Sequence, residues 1–84
     1  MKTARVGGAR ARALLVIGRL QPIEPLTFAR EMWPRARGWG QPHIMAWAAR
    51  SFLARMQKAG LVSPTDMGFL LTSKGFDLRD ELAE

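Results

Sequence analysis

The residues best suited to chemistry in this chain are basic and aromatic, and they gather in its middle. Between Pro34 and Pro42 the run PRARGWGQP sets Arg35 and Arg37 close to Trp39. Guanidinium groups can neutralise phosphates, and an aromatic side chain among them can stack on a base. For the arginines, phosphate contact is favoured over plain solvation. For Trp39 the alternative, a plug at the edge of the core, stands level with stacking. Directly after this run, Gln41 and His43 open a segment whose outer side carries Ala46, Trp47, Arg50, Ala54, Gln57 and Lys58. Arginine can bond guanine bidentately in a major groove or hold a phosphate; residues at a helix start can meet base edges. A small residue such as Ala46 allows close approach. Trp47 is the least expected residue on a polar face. Exposed, it can pack on sugar or a thymine methyl, or anchor a protein partner; with the helix rotated it would pack beneath the arm or the loop.

Other chemistries find little support. The chain has no cysteine, which excludes disulfides and thiolate metal sites. Its single histidine, His43, has no carboxylates clustered near it in sequence, so no metal is expected. No glycine loop runs into Lys-Ser/Thr, and no Ser–His–Asp spacing is persuasive. An enzyme is not expected, nor a cofactor.

The charge agrees with a polyanionic partner. Residues 1–60 hold eleven Lys/Arg against two acids, a balance of +9; residues 61–84 hold two against five, a balance of −3. A basic body with an acidic tail favours nucleic acid over a merely Arg-rich surface. Double-stranded DNA is the expected partner. RNA is the weaker option, because no aromatic platform on a sheet is evident. The longest apolar run, Ala13 to Ile17, is too short for a membrane span, and no signal peptide is read at the N-terminus. A cytoplasmic location and no membrane partner are the resulting expectations.

These side chains need elements to hold them. At 84 residues the chain has room for one small domain, expected over 9–84 after a flexible basic arm at 1–8 carrying Lys2 and Arg5. A first helix is predicted over Ala9–Leu20, with Ala13, Leu14, Ile17 and Leu20 inward and Arg12 and Arg19 outward. Pro22 and Pro25 keep Gln21–Leu26 extended. Thr27 is then a cap for a short helix, Phe28–Trp33, whose Phe28 and Met32 face inward. Two prolines and two glycines argue against any regular element over 34–42. The longest amphipathic segment starts at Pro42, with Ile44, Met45, Ala48, Ala49, Phe52, Leu53, Met56 and Ala59 on its apolar face. Gly60 ends it in a left-handed conformation, and Leu61 folds back onto Met56. Leu61–Ser63 and Phe69–Thr72 are expected to pair around a turn at Pro64–Gly68, with Phe69 and Leu71 toward the core. That turn holds Asp66 and no Lys or Arg, so it is expected to be structural. Thr72 or Ser73 caps a last helix with Leu78 and Leu82 on one face. Glu81 and Glu84 oppose its dipole. This helix either covers the sheet or pairs two copies of the chain, and both stay open.

The run FLARMQKAGLV, followed after a turn by FLLTSKGFDL, resembles the winged-helix transcriptional regulators of the MarR-like and PadR-like type. Gly60, Leu61 and Val62 match the family's exit from the recognition helix; Leu71, Thr72 and Gly75 match its ending after the second wing strand. LTFAREMW looks like the first helix of the helix-turn-helix. The resemblance covers residues 42–78 and implies an α+β, mostly α fold: three N-terminal helices, a small antiparallel β-hairpin and a C-terminal helix. It implies a small, sequence-specific DNA-binding regulator that reads the major groove with residues 42–59. The alternative is an adaptor of the same fold that holds a protein partner through exposed tryptophan.

Overall fold

A computed structural model describes residues 8–83, and among these residues it has four α-helices and one antiparallel hairpin. The basic arm therefore lies, but for Gly8, outside the described residues, as does Glu84. Helix α1, Ala9–Leu20, has the limits expected of it. Its packing is broader, because α2, the hairpin and the last helix all lie against it. Ala11 and Val16 are consequently buried along with Ala13, Leu14 and Ile17, while Leu20, expected inward, is 37% exposed at the helix end. Arg12 and Arg19 are not simply solvated. The Arg12 guanidinium donates to the Met32 carbonyl at 3.2 Å, and Arg19 pairs with Glu31 at 3.2 Å.

Helix α2, Pro25–Met32, starts two residues before Thr27 and ends one before Trp33. Proline fixes the φ that a first helical residue needs, so Pro25 opens the helix and Glu24 takes the cap position in place of Thr27. Phe28, Ala29 and Met32 are buried. The connection that follows is not wholly irregular. A 3-10 turn forms at Arg37–Gly40, and Gln41 N–H donates to Gly38 O at 2.9 Å. Short 3-10 pieces of this kind tolerate glycine because they ask for few consecutive hydrogen bonds.

Helix α3, Pro42–Lys58, is the longest element. Its buried stripe is Met45, Ala49, Leu53 and Met56. That stripe is narrower than the apolar face in the sequence. Ile44 sits about 100° round the helix from Met45 and is 44% exposed, while Ala48 is half-buried. Phe52 is half-buried too, as one of three rings that clamp α2 to α3: it lies 5.6 Å from Phe28 and 5.9 Å from Trp33, and Phe28 and Trp33 meet edge to face at 6.0 Å. Offset and edge arrangements of this sort are the favourable ones for aromatic quadrupoles.

The end of α3 is a double clasp. Leu61 N–H reaches Met56 O and Gly60 N–H reaches Gln57 O, each at 2.9 Å, with Gly60 at φ +82°. This satisfies helix carbonyls that would otherwise be orphaned and turns the chain into the hairpin. Strands β1, Val62–Thr65, and β2, Gly68–Leu71, pair with Thr65 opposite Gly68. The turn is thus Asp66-Met67 alone, shorter than expected, and Pro64 lies within β1 as an exposed residue. Leu71 is buried and Phe69 packs against the core from a half-buried position. Thr72 caps α4, Ser73–Ala83: its hydroxyl accepts from Gly75 N–H at 3.0 Å and donates to Gly60 O at 2.6 Å. One side chain so ties the end of α3 to the start of α4. Leu78 and Leu82 of α4 pack on the core.

Candidate functional site

Any surface chemistry must be built on what α3 leaves uncovered. Helical geometry turns Met45, Ala49 and Leu53 inward and therefore His43, Trp47 and Arg50 outward. All three are exposed, and Trp47 most conspicuously, at 64%. Ala46, one step toward the hairpin, is half-buried. Gln41 and its neighbour Pro42 are exposed at the helix start; the Gln41 carbonyl accepts the Ile44 N–H at 2.9 Å. The candidate residues from His43 to Arg50 thus share about two turns of one helix, with Gln41 at its cap. Lys58 does not join them. It is exposed, but 11 residues after Trp47, roughly 16 Å along the axis at 1.5 Å per residue.

Arg35 and Arg37 are exposed on the connection into α3. Between them and the helix, Trp39 takes a position that the sequence left open. Its indole Nε1–H donates to Trp33 O at 2.8 Å, and the guanidinium of Arg30 lies 4.8 Å from its ring centroid. The ring is half-buried and packs on the core cluster. With its donor used and a cation stacked on it, Trp39 acts as a brace for the connection more than as a free stacking surface. Arg30 is held there in turn and adds a third guanidinium to this region.

The flank of α3 toward the hairpin is different in character. Ala46 and Arg50 form one wall of a groove of about 360 Å³; the other wall comes from the start of α2 and the hairpin and includes Glu24 and Asp66. Glu24 was not a sequence candidate. Its nearness to Arg50 depends on a backbone bridge between Ile23 and Phe69, and no periodicity signals that.

Among the described residues, no group of three or more His, Cys, Asp or Glu is arranged to hold a metal ion. No helix among them is long and apolar enough to cross a membrane. Comparison with protein-family models, with characterised proteins and with solved structures finds no match. Function therefore rests on the chemistry of the chain's own surface.

Proposed function

We propose that this chain is a winged-helix DNA-binding module that lays the outer face of α3 in the major groove of double-stranded DNA. The observation that carries the proposal is the composition of that face: His43, Trp47 and Arg50 exposed on consecutive turns, with the apolar stripe fully committed to the core behind them. A helix of this kind matches the width of the B-form major groove, about 12 Å. Arg35 and Arg37, exposed beside the helix start, suit phosphate contact, which fixes register without reading sequence. The element order supports the fold reading: two helices packed through an aromatic cluster, a clasped exit into a short hairpin, and a capped helix after it. The balance of +9 over residues 1–60 supplies long-range attraction to a polyanion.

The test is selection of bound duplexes from a random DNA pool, followed by a salt titration of the enriched sequence. Enrichment of a defined motif is expected, with log affinity falling by about 0.9 per phosphate neutralised for each decade of salt. An unenriched pool, or binding indifferent to salt, would sink the proposal.

One observation favours a second reading. Trp47 and Ile44, three residues apart on α3, are both exposed apolar side chains, at 64% and 44%. Such a pair can anchor a protein partner. That contact would be much less sensitive to salt, so the same titration separates the two.

A further inference from the structure

The groove beside Arg50 is polarised, and its construction is rigid. Ile23 N–H donates to Phe69 O at 3.0 Å, and Phe69 N–H donates to Ile23 O at 2.8 Å. This bridge lays residue 23 along the outer edge of β2, so Glu24 follows directly onto the wall that the hairpin forms. Gly68 makes the fit feasible. Its φ is +131°, and a Cβ there would strike the backbone of Ile23. At the hairpin tip the Thr65 hydroxyl accepts from Met67 N–H at 3.1 Å and donates to Gly68 O at 2.7 Å. These bonds fix the two-residue turn and with it the origin of the Asp66 side chain. The groove is thus lined on the α3 side by Ala46 and Arg50, and on the side of the α2 start and the hairpin by Glu24, Leu26, Asp66 and Phe69. Arg50 forms no ion pair with either carboxylate; the ion pairs among the described residues are Arg19–Glu31 and Arg79–Asp80. Its donors are thus available to a ligand.

A phosphate is a poor occupant of such a groove, since it would face two carboxylates for one guanidinium. The better occupant is an edge with hydrogen-bond acceptors on one side and an amino donor on the other. The major-groove edge of a G·C pair has that arrangement: guanine O6 and N7 accept, and cytosine N4 donates. We propose that this groove reads one G·C base pair, Arg50 donating to guanine and a carboxylate of the Glu24–Asp66 wall accepting from cytosine N4. The inference rests on the DNA-binding reading above and adds to it the base pair and its orientation. The carboxylates have a second effect: by repelling phosphate they keep the DNA backbone out of the groove, so specificity comes from a built-in repulsion as well as an attraction.

The test uses the full chain and the duplex enriched by selection, with each base pair changed in turn. Wild-type protein should lose about tenfold or more in affinity when one G·C pair becomes A·T or is reversed, within the usual range for a mismatched pair. Arg50→Ala should remove that preference. Glu24→Gln combined with Asp66→Asn should weaken the preference at the same pair and raise binding to unrelated duplexes. Asp66→Lys should go further, raising non-specific affinity and steepening the salt slope by about one unit as a new cation recruits a phosphate. Thermal unfolding of each variant checks that the hairpin is intact, and the isosteric Asn variant keeps the test valid if the Lys variant is unstable. If DNA binds with a clear motif and the carboxylate variants leave the G·C preference and the non-specific affinity as they were, this inference is overturned while the DNA reading survives. If no duplex binds at any salt, both fall together.

Discussion

Truncating Trp47 separates a reading face from a misplaced core more sharply than any other single change. The side chain is 64% exposed, and its neighbours at three- and four-residue spacing, His43, Ile44, Arg50 and Ser51, are exposed or half-buried themselves. Trp47→Ala should therefore cost little stability, at most about 0.5 kcal/mol, as for a surface substitution away from the core. Leu53→Ala is the control. Leu53 is fully buried, and emptying such a site costs about 2–5 kcal/mol. For a domain of this size 1 kcal/mol shifts Tm by about 4–8 °C, so the control should fall by at least about 8 °C and Trp47→Ala by clearly less. The binding loss is set by the area left free. A tryptophan offers roughly 250 Å², so about 160 Å² is open in the free protein. Covering half of that against DNA, at about 25 cal/mol per Å², is worth about 2 kcal/mol, or about thirtyfold in Kd. Fluorescence anisotropy on the enriched duplex reads the second quantity and thermal unfolding the first. A Tm drop equal to that of Leu53→Ala would show that Trp47 belongs to the core. An unchanged Kd alongside intact stability would show that DNA does not lie on this face of α3.

Arg35→Ala and Arg37→Ala should each weaken binding to all duplexes alike and lower the salt slope by about one unit, which a titration over several salt concentrations checks. Trp39→Phe keeps an aromatic side chain but removes the donor to Trp33 O and part of the packing, so it should cost at least about 1 kcal/mol of stability, measured by denaturant unfolding. A free stacking residue would show no such cost. Thr72→Val removes both hydrogen bonds of the hydroxyl that joins Gly60 O to Gly75 N–H; a loss of about 1–2 kcal/mol in the same assay is expected.

Local signals in the sequence were sufficient wherever one stretch of chain decided the outcome. The limits of α1, the start of α3 and the left-handed Gly60 all follow from periodicity, proline and glycine within a few residues. The short motif ending Leu71-Thr72-x-x-Gly75 also has a local physical content. The Thr72 hydroxyl caps α4 and holds Gly60 O, and Gly75 lacks the Cβ that would collide with the Leu61 carbonyl. The structure departs from local expectation where two rules compete or where packing width matters. Pro25 outranked Thr27 as the marker of where α2 begins, because a fixed φ suits the first helical residue irrespective of the cap. Ile44 and Leu20 were placed on core faces by spacing alone, yet the neighbours that would cover them do not extend that far.

The candidate site divides along the same line. The outward direction of His43, Trp47 and Arg50 is a property of one helix and was legible. The surroundings of Arg50 were not, because they come from residues distant in sequence: the bridge of Ile23 to Phe69 brings Glu24 and Asp66 to one wall, 42 positions apart, facing a helix that lies between them in the chain. That distinction changes what the charge pattern means. Counted along the chain, the acids after residue 60 look like a tail set apart from a basic body. In the fold, Asp66 lines the same groove as Arg50, while Arg35 and Arg37 are exposed on the connection that leads into α3. At the groove the positive charge of Arg50 is met by two acids, whereas Arg35 and Arg37 form no ion pair among the described residues. On the DNA-binding reading proposed above, phosphate contact would fall to Arg35 and Arg37, and the groove at Arg50 would be left to base edges.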